Sequence, residues 1–297
     1  MGRGRALAAL VFLTLLWGYN WVIAKQALSY AGPFTFACLR ALGGSAALLV
    51  ALPLLGRPLR LVAPLKTAVI GLVQTGGFLF LSTWALVEGG AGKTAVLTFT
   101  MPIWTLLLGR LLLGERVRGA QWLAVAGAFL GLLLILAPWD MAGTPTAKVL
   151  AVAGAVAWAM GTVLIKRWRR DLAVDVLSFT AWQMAIGSVA LIPVALAVPE
   201  RPVDWVPAFW GILAFIAVIG TALGWFLWLH VLEHLPAWQA SLSVLGIPVV
   251  AILSSRWSLA EPVEPLELAG MLLVGAGLGL MSLLNWRSQR RTSPRVP

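Results

Sequence analysis

The sequence predicts an all-α polytopic membrane protein: ten transmembrane helices, arranged as two inverted five-helix repeats. Composition, segment length and an internal similarity between the halves predict it. Hydrophobic residues make up 60% of the 297 and charged residues only 11%, with a mean hydropathy of +0.92. A soluble domain carries roughly a quarter charged residues. Apolar stretches of the ~20 residues needed to cross a hydrocarbon core recur along the chain. They are continuous rather than alternating, which argues against a transmembrane β-barrel.

Charge or proline bounds the spans at about 5–27, 33–53, 65–87, 91–112, 117–137, 146–167, 174–198, 206–230, 236–257 and 265–285. Arg3 and Arg5 before the first stretch resemble a signal peptide. That stretch is too long and lacks a clean small-residue cleavage site, so it reads as a retained first span. The net charge of +11 would point to nucleic acid in a soluble chain. Here the basic residues sit in short loops and tails, where they orient helices. With both termini in the cytoplasm, sixteen Lys and Arg fall on the inner side and five on the outer, with Arg40 inside the second span. That split follows the positive-inside rule. The single Cys38 excludes an intramolecular disulfide, and neither a cofactor nor a metal is expected.

The two halves echo each other. Trp17 to Lys25 (WGYNWVIAK) aligns with Trp158 to Lys166 (WAMGTVLIK) at an offset of 141, and Phe36–Leu49 with Phe179–Ile192 at 143. Pro102 pairs with Pro248, Glu115 with Glu261 and Gly131 with Gly277, all at 146. The repeats are therefore residues 1–140 and 141–297. Five crossings per copy is an odd number, so the second copy enters the membrane from the opposite side. Inverted repeats permit alternating access around a site near the midplane, which makes a transporter the leading class.

These residues resemble a known family. Ten spans in two halves, WGYNW in the first span and the doubled Pro102/Glu115 and Pro248/Glu261 pattern look like the drug/metabolite transporter superfamily. They look in particular like its EamA-type members and, among those, bacterial inner-membrane exporters of aromatic amino acids. The resemblance covers nearly the whole chain. It implies a basket-like fold with spans 1, 3, 4, 6, 8 and 9 around the cavity and spans 5 and 10 as scaffold. It also implies export of aromatic or other apolar amino acids and related metabolites. Asn20 departs from the pattern of matched residues, since the second copy offers no polar twin.

Trp17 and Trp158 lie near mid-span, whereas tryptophan ordinarily prefers the interface. Packing between helices and a substrate pocket are both open readings. A flat π-face suits an aromatic substrate or an ammonium group. Phe78 of span 3, Phe99 of span 4, Trp182 of span 7 and Trp225 of span 8 are the further aromatic candidates; Trp228 shares the GWFLW stretch with Trp225. Asn20 lies one turn from Trp17 and needs hydrogen-bond partners, as does Gln183, the positional equivalent of Arg40. Gln239, Ser241 and Ser243 in span 9, with Lys93, Thr94 and Thr98 in span 4, form corresponding polar faces. Both groups lie near helix N-termini, which can hold a carboxylate. Pro102 and Pro248 interrupt their helices and are candidate gating points. Lys25 and Lys166 read as snorkelling anchors. Glu115 and Glu261 read as caps for spans 5 and 10 or as partners of nearby arginines. Gly127 and Gly131, with Gly275 and Gly279, form small-residue faces on spans 5 and 10, within one chain or across a dimer.

An intramembrane enzyme is disfavoured, since the chain has two histidines, no H-E-x-x-H and no G-x-S-x-G. A multidrug cation exporter of the same superfamily is the nearer alternative. It calls for an intramembrane carboxylate to exchange proton for cation, and the acids here fall at span ends. The expected partners are a small-molecule substrate and lipid, not nucleic acid. Oligomeric state is undetermined by sequence.

Overall fold

The structure, a computed structural model, describes residues 2–89, 97–117, 119–136, 145–169, 175–259 and 264–292. Among them every regular element is a helix, the outcome hydrocarbon imposes by offering the backbone no hydrogen bonds. Seven helices are long and apolar enough to cross a membrane: Gly4–Ala24, Pro33–Leu54, Pro64–Ala85, Pro145–Trp168, Val176–Ala197, Pro207–His234 and Ala237–Ser258. Three shorter apolar helices, Met101–Leu113, Gln121–Ile135 and Pro265–Met281, complete the ten segments expected, as spans 4, 5 and 10. Proline marks several starts: Pro33, Pro64 and Pro207 each occupy the first turn of a helix, where the missing N–H costs nothing. Gly114, at φ 66°, stops Met101–Leu113 in the left-handed conformation that glycine adopts most easily.

Five spans depart from a plain α-helix, span 7 by a turn between the helices Val176–Val189 and Ile192–Ala197. Spans 3 and 8 each contain a π-helical stretch, Gly71–Gly77 and Ile216–Leu223. Spans 4 and 9 are interrupted just before Met101 and just before Gly246, so Pro102 and Pro248 enter the first turns of the helices that follow. They do not kink a continuous helix. Each proline thereby avoids the backbone clash it would cause mid-helix.

Charged side chains complete several helix ends, two of them across the halves of the chain. Glu115 accepts from the N–H groups of Ala237 (3.0 Å) and Trp238 (3.3 Å), so it caps span 9 and not span 5. Glu200 accepts from Phe34 and Thr35, both at 2.8 Å, and caps span 2. Asp175 caps span 7 through Ser178 N at 3.0 Å and takes Arg57 Nη1 at 3.1 Å. Lys166 Nζ donates to the carbonyls of Leu232 and Leu235, each at 2.6 Å. A cation thus meets the negative end of span 8 in place of the snorkelling expected. Lys93, Thr94, Arg118 and Glu261 lie outside the described residues, as does the side chain of Lys25.

Glycines allow the spans to close on one another, and two contacts recur at equivalent positions. A Cβ on Gly44 would lie 2.7 Å from Thr221 Cγ2 and 3.0 Å from Ala217 O. A Cβ on Gly187 would fall on Gly71 O and lie 2.6 Å from Thr75 Cβ. Gly44 and Gly187 are 143 residues apart, while Ala217/Gly71 and Thr221/Thr75 are 146 apart. Span 2 meets span 8 just as span 7 meets span 3.

Spans 5 and 10 pack together within one chain. A Cβ on Gly131 would lie 2.6 Å from Gly270 O, and one on Gly277 would lie 2.8 Å from Ala124 O. Gly275 and Gly279 face open space instead, one helical step from the packed stripe. Gly277→Leu is therefore expected to destabilise the detergent-solubilised protein by about 1–3 kcal/mol through overpacking, read as a lower Tm. Gly275→Leu is expected to stay within about 0.5 kcal/mol of the parent.

Candidate functional site

Aromatic rings from four spans meet at Trp158. Its ring centroid is 4.9 Å from Phe78, 5.2 Å from Trp225 and 5.7 Å from both Trp17 and Trp228. Trp17 and Trp228 are themselves 6.2 Å apart. These separations lie in the range of attractive ring contacts, with the Trp17 and Phe78 pairs near edge-on. Trp158 is 4% exposed and Trp228 0%, so the rings fill the centre between spans 1, 3, 6 and 8. Phe78 directly follows one π-helical stretch and Trp225 follows the other by two residues. Each wider turn shifts the register of the helix after it and sets which side chains face Trp158.

Glycine makes room for the site's other side chains. The Trp17 indole N–H donates to Gly220 O at 2.9 Å, inside the span 8 π-helix. A Cβ on Gly224 would fall on Trp17 Nε1, one on Gly220 on Asn20 Oδ1, and one on Gly161 on Gln74 Cβ. Three residues on spans 1 and 3 thus each press against a glycine of span 6 or 8.

Beside the rings lies a polar seam between spans 3, 6 and 7. Gln74 Nε2 donates to Thr162 Oγ1 at 3.0 Å, and the Thr75 hydroxyl donates to Gln183 Oε1 at 3.3 Å. Both glutamines are fully buried. Gln74 Oε1, Gln183 Nε2 and Asn20 Oδ1 have no protein partner among the described residues, and neither do the indole N–H groups of Trp158, Trp182 and Trp228. Buried polar atoms are rarely left so. Arg40 Nε, Thr98 Oγ1 and Ser188 Oγ share this condition; of the whole set, Asn20, Gln74, Trp158, Gln183 and Trp228 belong to the ring cluster and the polar seam.

Of the residues singled out from sequence, Trp17, Phe78, Trp158 and Trp225 come together. Asn20 sits on the same face of span 1 as Trp17, against Gly220, and Gln183 lies in the polar seam. Trp182 is half-buried on span 7 and makes no ring contact with the cluster. Phe99 is buried in the same apolar core without a ring contact to Trp158. Gln239 is buried at the start of span 9, where its carbonyl accepts from Ser243 Oγ at 3.0 Å. Ser241 Oγ donates to Thr105 Oγ1 at 2.9 Å, linking span 9 to span 4. Pro102 and Pro248 are buried at the two helix breaks. Sequence reasoning missed Gln74, the central place of Trp228 and both π-helical stretches. The glycine-rich stretches GLVQTGG and IGTALG, which overlap at the 146-residue offset although their glycines do not coincide, were the available signal.

Ten apolar helical segments, five of them supplying a buried aromatic and amide-lined centre, define a polytopic helical membrane protein. The sequence profile of the EamA-like transporter family matches residues 4–137 and again residues 146–283. The chain belongs to that family, and is a membrane transporter rather than an enzyme. It is 30% identical over 290 residues to YvbV, an uncharacterized transporter of Bacillus subtilis, covering 94% of this chain and 92% of the relative. It is 26% identical to a protein of Salmonella typhimurium named a probable amino-acid metabolite efflux pump, covering 94% of each. A crystal structure superposes with a TM-score of 0.80 over 95% of this chain and 99% of its own, at 21% identity, a likeness of fold alone.

The contact between Trp17 and Gly224 has a measurable signature. Gly224→Ala is expected to displace the Trp17 indole and lose its bond to Gly220 O, at a cost of roughly 1 kcal/mol or more. In a double-mutant cycle with Trp17→Phe, read by thermal unfolding in detergent, the two costs are expected not to add. Full additivity would show that the two residues act separately.

Proposed function

We propose that the chain is a bacterial inner-membrane transporter that exports aromatic or other apolar amino acids and related small metabolites. The observation that carries this reading is the ring cluster at Trp158, flanked by buried amides and indole N–H groups without protein partners. An aromatic side chain inserted between these rings would replace one ring contact with another. The amides of Gln74, Gln183 and Asn20 offer both acceptors and donors for the ammonium and carboxylate of an amino acid. The efflux function named for the Salmonella relative supports the same substrate class.

The mechanism is alternating access between two inverted repeats, residues 1–140 and 141–297, with both termini in the cytoplasm. The recurring Gly44 and Gly187 contacts support the repeat, as do the paired π-helical stretches and the paired breaks before Pro102 and Pro248. The distribution of basic residues supports the orientation. Spans 3, 4, 8 and 9 carry irregular backbone at equivalent places in the two halves, and span 7 carries a turn that span 2 lacks; such stretches change shape at lower cost than an unbroken helix. Pro102 and Pro248 stand where spans 4 and 9 bend as one side closes and the other opens. Gln239 and Ser243 then lie on the span 9 segment that leads into such a bend. Phe99, buried in the same apolar core, and Trp182 are the aromatic candidates that spans 4 and 7 would bring to substrate as they move. A cation exporter exchanging protons is less well supported, because no described carboxylate lies in mid-span.

In proteoliposomes loaded with radiolabelled tryptophan or phenylalanine, the protein is expected to move the amino acid in competition with other apolar amino acids. Trp158→Ala removes stacking contacts worth about 0.5–1.5 kcal/mol each, so apparent affinity is expected to fall roughly 3- to 10-fold with the monodisperse protein retained. Transport that is unchanged in Trp158→Ala and Gln183→Ala, or competed only by cationic compounds, would overturn the substrate assignment.

A further inference from the structure

The two histidines of the chain are not used by the ring cluster or the polar seam. His230 and His234 lie four residues apart in the last turn of the span 8 helix Gly224–His234, with Glu233 between them. A ligand atom from each of the three falls within 4.8 Å of the other two. The imidazole rings are 4.6 Å apart, and both His230 and Glu233 keep part of their side chains open to solvent. We propose that His230, Glu233 and His234 form a binding site for a divalent transition metal of the zinc class, at the end of span 8 beside the turn into span 9.

The local chemistry favours this over an ordinary surface pair. Positions i, i+3 and i+4 share one helical face, so backbone geometry alone collects the three groups. His234 Nδ1 is 2.9 Å from the carbonyl of His230. A proton held at that nitrogen leaves Nε2 as the free lone pair, the arrangement that orients metal-binding imidazoles elsewhere. His230 Nδ1 and Glu233 Oε2 are 3.1 Å apart. Two ligands on a tetrahedral zinc stand about 3.4 Å apart when each bond is ~2.0–2.1 Å, so this pair needs little movement to hold an ion between them. Two imidazoles and one carboxylate suit zinc, nickel or copper, and not magnesium or calcium, which select oxygen ligands. Three protein ligands leave a fourth position to water.

The position gives the ion leverage. Lys166 of span 6 is bonded to the carbonyls of Leu232 and Leu235, and Glu115 holds the first N–H groups of span 9. These contacts bracket the same turn on both sides. A metal closing His230 to His234 stiffens the last turn of span 8 at the point where spans 6, 8 and 9 are tied together.

The test is titration of the full chain, freed of any polyhistidine tag and treated with chelator, in detergent. Zinc is followed by calorimetry and cobalt by its visible absorption. One zinc per chain is expected, with magnesium not competing. His234→Gln and His230→Gln are each expected to weaken binding at least tenfold, and the double variant to abolish the cobalt spectrum. Size-exclusion profiles matching the parent show that the variants are folded, and the parent's stoichiometry stands independently of them. Failure of the parent to bind zinc, or equal binding by the double variant, would overturn the site.

Discussion

Hydrocarbon gives a polypeptide no hydrogen-bond partner, and this constraint explains most of what distinguishes the protein from a bundle of plain helices. Within a span the backbone satisfies itself. At helix ends it cannot, and at several of them the remedy is a charged side chain. Glu115 reaches from the first half to the start of span 9, and Glu200 from the second half to the start of span 2. Lys166 closes the end of span 8. Glu115 and Glu200 thus tie each half to the other, while Lys166 and Asp175 complete helix ends within the second half.

The matching of these devices is chemical as well as positional. Gly32 and Asp175 correspond at an offset of 143, as do Arg57 and Glu200. In one copy the loop glutamate caps the helix that begins at Pro33 after Gly32. In the other, Asp175 caps its own helix and the loop arginine binds Asp175. The connection is kept while the charges are exchanged, as the positive-inside rule asks of two copies with opposite orientations. The exposed Arg57–Asp175 pair adds little energy of its own; its value lies in holding two connections in register.

Much of the fold was legible because length, hydropathy and proline position are local properties. The starts at Pro33, Pro64 and Pro207 and the number of apolar segments follow directly from them. The candidate site was legible only in part. Mid-span tryptophans announced themselves by being in the wrong solvent, and Trp17, Phe78, Trp158 and Trp225 do converge. Which neighbours they meet depends on the π-helical register of spans 3 and 8, which no hydropathy pattern encodes. Gln74 has no polar twin in the second half, where Gly220 stands at the equivalent place, so the internal repeat does not single it out. The partners of Glu115 and Lys166 were misjudged for another reason: both bonds span more than sixty residues of sequence, and local reasoning looked only to near neighbours.

The ring cluster is packed closed in this structure, and the proposed alternating access would have it open to each side in turn. Phe78, half-buried against Trp158, offers a direct probe. In a chain with Cys38→Ser and Phe78→Cys, the new thiol can be challenged with a membrane-impermeant reagent from either face of oriented vesicles. Alternating access through this centre predicts labelling from both faces, slowed when an aromatic amino acid is bound. A thiol that labels from neither face, or at a rate indifferent to the amino acid, would contradict it.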